Sequence, residues 1–170
     1  TVFFNGCSLK CPFCQNMELS RSHSQNHYSH NEFYGALVNL IDAGAVNLNF
    51  VTPDHFMPHI IWAVERLRNS GYNLPIVYNC SGYESPEHLK MVADYVDIYL
   101  FDYKFIEPEG AAYSLHSPDY PQRASEALHF LHKTAGNLVI DDDGHAVRGT
   151  IVRHLVMPGF IENSIGVVNE

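Results

Sequence analysis

The sequence predicts an α/β protein built on a parallel sheet. Five apolar segments of strand length recur along the chain, and most are continuous runs, as in strands that are buried on both faces. Helical patterns separate them, which indicates successive β-α-β units. The segments predicted as strands are 2–4, 46–51, 76–78, 98–101 and 151–157.

Amphipathic patterns predict four helices between these strands. Apolar residues spaced three and four apart share one face of a helix. The third helix is expected to begin after the N-cap Ser85 with Pro86 at its first position, and the fourth to end near Gly136. The residues predicted to face the sheet are Phe33, Leu37, Leu40, Ile41, Ile60, Ile61, Val64, Leu67, Leu89, Val92, Ala93, Ala124, Ala127, Leu128 and Leu131.

A small β-hairpin is predicted before the last strand. The short apolar runs 138–140 and 145–147 flank an Asp-Asp-Asp-Gly turn at 141–144. The turn lacks the alternating acidic ligands and distal glutamate of a calcium-binding EF-hand loop, so we interpret it as a hairpin decorating the sheet. The pattern alone permits an open doubly wound sheet or a full or partial (β/α) barrel, and no glycine-rich phosphate-binding motif follows a strand.

Composition indicates one globular domain. The chain has 170 residues, of which 46% are hydrophobic and 17% charged, enough for one sizeable core. Its net charge of -9 gives no attraction for nucleic acid or anionic lipid, and no apolar run approaches the roughly 20 residues that span a membrane. We expect a cytoplasmic core domain over residues 1–170, belonging to a longer protein with further N-terminal and C-terminal segments.

The most informative segment is a cysteine loop directly after the first strand. Cys7, Cys11 and Cys14 have C-x3-C-x2-C spacing, and Gly6 and Pro12 favour the turns that such a loop needs. Short spacings allow three thiolates to fold back around one metal centre. Three other interpretations are ordinary buried thiols, a disulfide with one cysteine left over, and a zinc site. The histidines that would complete a zinc site are His23, His27 or His30.

The loop resembles the cluster loop of radical S-adenosylmethionine (SAM) enzymes. The resemblance lies in the cysteine spacing, in Phe13 just before the last cysteine, and in the position after the first strand. It implies a partial (β/α) barrel and a [4Fe-4S] cluster on Cys7, Cys11 and Cys14 as the catalytic metal centre. The fourth iron would bind SAM, with Phe13 against its adenine. The implied reaction is reductive cleavage of SAM to methionine and a 5′-deoxyadenosyl radical.

Polar residues follow the later strands, at the ends where barrel proteins build their sites. The activating enzymes of glycyl radical proteins have three motifs in the corresponding places: Asp-Thr-Asn-Gly, Asp-Leu-Lys, and an arginine-rooted strand that ends in Pro-Gly. This chain resembles them, in the same order, at residues 79–82, 102–104 and 153–159. The similarity is strongest to uncharacterised relatives of pyruvate formate-lyase activating enzyme. The resemblance implies as partners a one-electron donor such as flavodoxin or ferredoxin, and a glycyl radical protein. The residues it implies as SAM contacts are Asn79, Ser81, Asp102, Lys104 and Arg153.

Two segments depart from the pattern of the activating enzymes. The Gly-Gly-Glu-Pro motif that receives the SAM amino group is absent, and residues 51–54 stand in its place. We expect the Thr52 hydroxyl or the Asp54 carboxylate to accept that hydrogen bond. Asn79 replaces an aspartate of the activating enzymes, which removes a charge and weakens the inference of a cation beside the SAM carboxylate.

Several alternatives stay open at this point. Asp102 and Lys104 are also compatible with a surface ion pair, and Asp54 with a helix cap. Cys80 is expected to be a small buried residue; as a fourth thiolate it would instead make the protein an electron carrier. The rival function is therefore a zinc- or iron-sulfur-stabilised binding or electron-transfer module without SAM chemistry.

Overall fold

A mostly parallel sheet organises the fold. The computed structural model describes residues 1–21 and 27–170. The strands are β1 (Val2–Phe3), β2 (Leu48–Val51), β3 (Ile76–Cys80), β4 (Ile98–Asp102), β5 (Val139–Ile140) and β6 (Ala146–Arg153). The helices are α1 (Met17–Ser20), α2 (His30–Asp42), α3 (Met57–Asn69), α4 (Pro86–Val92), α5 (Pro108–Leu115), α6 (Tyr120–Thr134) and α7 (Ile161–Asn169), and a 3-10 turn, Asp54–Phe56, precedes α3.

The strand order brings the ends of the parallel strands to one rim. The order is β1-β2-β3-β4-β6-β5, and every neighbouring pair from β1 to β6 is parallel. Val51 lies beside Asn79 and Asp102 beside Arg153. The predicted α/β fold, a partial (β/α) barrel with a small hairpin, is confirmed.

The core lies between the helices and one face of the sheet. Along β2 and β3, alternate residues such as Phe50 and Tyr78 are almost completely buried, whereas Asn49 and Asn79 on the opposite face are partly exposed. Leu37 of α2 and Ile60 of α3 are fully buried in the same core. Burying each such side chain contributes about 1.5–3 kcal/mol. The face of the sheet that is turned away from the helices therefore carries partly exposed polar residues. This face continues to the rim, where the parallel strands end.

The helix boundaries follow the predicted caps. Ser85 Oγ accepts a hydrogen bond from the His88 amide at 3.3 Å, with Pro86 as the first helical residue. α6 ends at Thr134, and Gly136 has a positive φ of 76°. Helices α1, α5 and α7 were not predicted, because they are short or bury few large apolar residues. Within the described ranges, no helix is long and apolar enough to cross a membrane.

The sequence prediction was wrong about the last parallel strand. We expected a hairpin strand at 145–147 and a separate strand at 151–157, but one continuous strand, β6, runs from 146 to 153, and residues 154–157 are not in a strand. Gly149 lies inside β6 at φ 115°, where a Cβ would collide with the backbone of Asn137. The β5–β6 hairpin is antiparallel as predicted. After Arg153 the chain leaves the sheet, and His154 hydrogen-bonds to the Tyr103 carbonyl at 2.7 Å.

Candidate cofactor site

The cysteine loop is anchored next to the carboxyl end of β1. Leu9 is 4% exposed and fixes the middle of the loop in the core. The Gly6 amide donates to the Leu19 carbonyl at 3.1 Å, which closes the loop against α1. The Cys14 amide donates to the Cys11 carbonyl at 3.3 Å, so the last two cysteines share one tight turn. The loop therefore presents its three thiols from a fixed base.

All four cysteines are free thiols, which removes the disulfide interpretation. Cys7 and Cys14 are partly exposed, whereas Cys11 is buried, with 8% of its surface exposed. Burial raises the pKa of Cys7, and it raises the pKa of Cys11 to about 11. Such thiols keep their protons until a bound cation displaces them. The raised pKa values therefore argue against a free nucleophile in this loop.

The zinc interpretation finds little support in the geometry of the described residues. Ligands of one zinc ion lie about 2.3 Å from it when they are thiolates, which requires the sulfurs to be close together. The Cys7, Cys11 and Cys14 sulfurs are not all within 4.8 Å of one another. His30, one of the histidines that would complete a zinc site, is instead hydrogen-bonded to another histidine, with His30 Nε2 2.8 Å from His59 Nδ1. His23 lies outside the described residues.

A carboxylate shared by two cations forms the centre of the rim. Asp102 Oδ2 lies 2.8 Å from Lys104 Nζ, and Asp102 Oδ1 accepts from Arg153 Nε at 2.7 Å. Arg153 Nη2 also donates to Asn79 Oδ1 at 2.8 Å. Lys104 Nζ donates to the Ser81 carbonyl at 2.9 Å. Five residues that the sequence singled out therefore form one hydrogen-bonded group.

The charge of this group favours an anion at the rim. Lys104 and Arg153 are balanced by one carboxylate, that of Asp102, so the group carries a net positive charge. The side chain of Lys104 is 12% exposed, that of Asp102 is 27% exposed and that of Arg153 is 44% exposed. A lysine ammonium has three hydrogens, and two of those on Lys104 are used. A partly buried network of this kind is not a simple surface ion pair.

Thr52 has an unusual backbone conformation directly after β2. Its φ is 50°, in the left-handed region that costs a β-branched residue roughly 1–3 kcal/mol. The Thr52 hydroxyl donates to the Val51 carbonyl at 2.8 Å. The oxygen lone pairs of this hydroxyl remain able to accept from a ligand.

Asp54 lies in the 3-10 turn before α3 and is held by a hydrogen bond from Tyr78. The Tyr78 hydroxyl donates to Asp54 Oδ1 at 3.1 Å. Burial, with the neighbouring Glu84 carboxylate as the second cause, raises the Asp54 pKa to about 8. The carboxyl group is therefore mostly protonated at pH 7. In that form Asp54 is a weaker acceptor for an ammonium group than the sequence suggested.

Phe13 and Cys80 take different positions relative to the rim. Phe13 is partly exposed and packs against the edge of the core beside the cysteine loop. Cys80 is 1% exposed, and its Sγ lies 3.6 Å from the Tyr78 carbonyl on the helix side of the sheet. Burial raises its pKa well above the ordinary value. Cys80 is thus a small core residue, as expected.

Two buried residues at the rim were missed by the sequence analysis. Glu84 accepts hydrogen bonds from the turn that follows β3, and the Tyr120 hydroxyl contacts the ends of β3 and β4. Glu84 has a local signal, because it follows the Ser81-Gly82 turn at short spacing. Tyr120 has none, because it lies at the start of a helix far along the chain.

The opposite end of the sheet carries a second polar group. Asp141, Asp143 and His145 of the hairpin turn have ligand atoms within 4.8 Å of one another, and all three are exposed. A cavity of about 810 Å³ opens beside this turn, between the amino ends of the strands. It is remote from the cysteine loop and shares no residue with the rim.

The fold and the site together define a partial β/α barrel that carries thiols and cations at the carboxyl ends of its strands. The family model for the radical SAM superfamily matches residues 1–165. The chain belongs to the radical SAM superfamily.

The chain is also similar in sequence to one curated protein and in fold to several solved structures. The chain is 31% identical over 170 residues to an uncharacterised protein, MJ0674, from Methanocaldococcus jannaschii, covering 95% of this chain and 45% of that protein. Structures of SuiB from Streptococcus suis, bound to S-adenosylmethionine or to the precursor peptide SuiA, have TM-scores of 0.66 and 0.67 at 13% and 14% identity. Each match covers 98% of this chain. It covers 36% of SuiB in the structure with S-adenosylmethionine and 35% in the structure with SuiA. The chain thus spans less than half the length of these relatives.

The raised pKa of Asp54 predicts a specific dependence of stability on pH. The folded state keeps a proton that the unfolded state, with an ordinary pKa of 3.8, releases. The free energy of unfolding should therefore fall as pH rises from about 4 to about 8, by at most about 1.4 kcal/mol per pH unit from this group. Asp54→Asn should remove this contribution in urea unfolding of the apo protein.

The exposed Asp42 provides a matched control, because Asp42→Asn makes the same chemical change outside the core. This control should keep the wild-type profile. Identical pH profiles for wild type and Asp54→Asn would contradict the burial of a proton on Asp54.

Proposed function

We propose that the protein is a radical SAM enzyme that cleaves SAM reductively at a [4Fe-4S] cluster. The observation that carries this proposal is three free thiols in one anchored loop, close enough to the cationic group on Asp102 for Lys104 to lower the pKa of Cys7 and Cys11. Membership of the superfamily supports the same chemistry. When a cluster is bound, its open iron would chelate SAM and supply the electron that cleaves it.

Cys7, Cys11 and Cys14 are the proposed cluster ligands. Three thiolates leave one iron of a four-iron cluster without a protein ligand, which is the position a cofactor needs. Cys80 faces the core on the helix side, so it is not a fourth ligand. Lys104 is the cation that lowers the pKa of both Cys7 and Cys11, against the larger effect of burial. Its positive charge also favours the negative charge of a thiolate-bound cluster.

Lys104 and Arg153 are the proposed donors to the SAM carboxylate. Both are held in place by Asp102, so little side-chain entropy is lost when the ligand binds. Asn79 orients Arg153 through a neutral amide oxygen, whereas an aspartate there would cancel the remaining positive charge. Ser81 contributes its carbonyl to Lys104. We further propose Thr52 as the acceptor for the SAM amino group and Phe13 as the contact for adenine.

The proposed substrate is a polypeptide, specifically a backbone glycine of a glycyl radical protein. The sheet is open, with β1 and β5 as its outer strands, which leaves lateral access to the rim for a peptide loop. The motif resemblance at 79–82, 102–104 and 153–159 supports an activating enzyme. The electron would come from a one-electron donor such as flavodoxin or ferredoxin.

The first test concerns the cluster ligands. Cys11→Ala in the full-length protein should abolish both the visible absorption of the reconstituted cluster and the release of 5′-deoxyadenosine from SAM. Cys80→Ala is the matched control and should retain both, because it removes a core thiol. A full cluster in Cys11→Ala, or loss of the cluster in Cys80→Ala, would contradict the assignment of ligands.

The second test concerns the cationic rim. Lys104→Met should weaken SAM binding by roughly one to two decades, the effect of losing a charge-assisted hydrogen bond worth about 1.5–3 kcal/mol. Iron and sulfide content should stay unchanged. The titration is followed by electron paramagnetic resonance of the reduced cluster. The exposed Lys90→Met should bind SAM normally; equal effects of both variants would rule out a specific role for Lys104.

The third test concerns the substrate. Anaerobic incubation of the reduced full-length protein with SAM and proteins of its native extract should produce a stable glycyl-type doublet in the electron paramagnetic resonance spectrum. Release of 5′-deoxyadenosine that depends only on a small metabolite, with no protein radical, would contradict the activating role while leaving SAM cleavage intact.

A further inference from the structure

We propose that Glu84 and Tyr120 are positioning residues that hold the rim in its SAM-binding arrangement. The inference rests on the proposed function and adds two residues that do not themselves contact the cofactor. Both side chains are buried, Glu84 at 5% and Tyr120 at 0% exposure. Together they join the turn after β3 to the end of β4, the two segments that carry Ser81, Asp102 and Lys104.

Glu84 fixes the turn that follows β3. Its Oε1 accepts from the Ser81 amide at 2.7 Å and from the Ser81 hydroxyl at 2.9 Å. Its Oε2 accepts from the amides of Gly82 and Tyr83 at 2.9 and 3.0 Å. One carboxylate thus satisfies three consecutive backbone donors and a hydroxyl. A buried carboxylate needs such partners, and in exchange the turn has one defined conformation.

This conformation sets the direction of the Ser81 carbonyl. With its amide and hydroxyl both held by Glu84, Ser81 presents its carbonyl oxygen to Lys104 Nζ at 2.9 Å. The carbonyl and the Asp102 carboxylate together fix the ammonium group at two of its three hydrogens. Glu84 therefore acts on the SAM donor Lys104 through Ser81.

Tyr120 fixes the backbone at the end of β4 through its hydroxyl group. Its hydroxyl accepts from the Lys104 amide at 3.0 Å. The same oxygen lies 2.7 Å from the Asp102 carbonyl and 3.2 Å from the Ser81 carbonyl. Because the hydroxyl has one hydrogen, we assign its donated bond to the closer Asp102 carbonyl. The backbone of both charged residues is thereby tied to one side chain of α6.

The two segments are also in direct contact at Gly82. A Cβ at this position would collide with the Asp102 carbonyl oxygen and with the Tyr120 hydroxyl, and φ is 83°. No side chain separates the turn from the end of β4. A shift of either segment therefore moves the other, and Lys104 lies at the junction.

This arrangement predicts an effect on SAM binding that is separate from the cleavage step. Tyr120→Phe removes one hydroxyl and leaves the ring and all charged groups in place. It should raise the KM for SAM about tenfold, the effect of losing about 1.4 kcal/mol. The rate at saturating SAM should stay within about twofold, and iron and sulfide content should be unchanged. A purely structural role would not separate KM from the rate at saturation.

Tyr99→Phe is the matched control. Tyr99 is 1% exposed on β4, and its buried hydroxyl has no hydrogen-bond partner among the residues that the structure describes. This variant should have the wild-type KM. Glu84→Gln should raise the KM more than Tyr120→Phe, because its amide hydrogens would face the Gly82 and Tyr83 amides or the Ser81 donors.

The experiment is a steady-state SAM-cleavage assay on the reconstituted full-length protein, with wild type measured first. A wild-type KM in Tyr120→Phe would overturn the positioning role while leaving the proposed function intact. An equal rise of KM in Tyr99→Phe would also overturn it, because it would indicate a general loss of stability. Wild-type protein that binds a cluster but does not cleave SAM would overturn the proposed function as well.

Discussion

The rim depends on one carboxylate that two cations share. Asp102 lies near the middle of the sheet, between β3 and β6, and binds Lys104 on its own strand end and Arg153 on the neighbouring strand. Without this carboxylate the two cations would repel each other in a partly buried site. With it, three strand ends act as one surface on which two cations share one carboxylate.

Two other carboxyl groups near the rim are held by the protein. Glu84 is occupied by four hydrogen-bond donors, and Asp54 holds a proton because burial raises its pKa to about 8. A positive rim next to three cysteines favours both a cluster bound by thiolates and the carboxylate end of SAM. The groups of the rim that favour an anion are therefore Lys104 and Arg153.

The parts of this site that the sequence predicted are local in the chain. The three cysteines lie in one loop, and the polar segments after β3 and β4 were expected at one rim; Asn79, Asp102 and Arg153 were singled out there by motif resemblance. Tyr120 was not predictable, because its hydroxyl reaches the rim only through the packing of α6. The continuity of β6 was missed because residues 148–150, between the two apolar runs, are not apolar; Gly149 among them stands inside the strand where no side chain fits.

The most direct test of the central claim is whether SAM binds an open iron of a cluster held by this loop. Electron-nuclear double resonance on the reduced full-length protein, with SAM labelled in its amino nitrogen and carboxylate oxygen, measures this contact. We predict hyperfine coupling of both labels to the cluster. A fully assembled, reduced cluster that shows no coupling to either label would contradict the account.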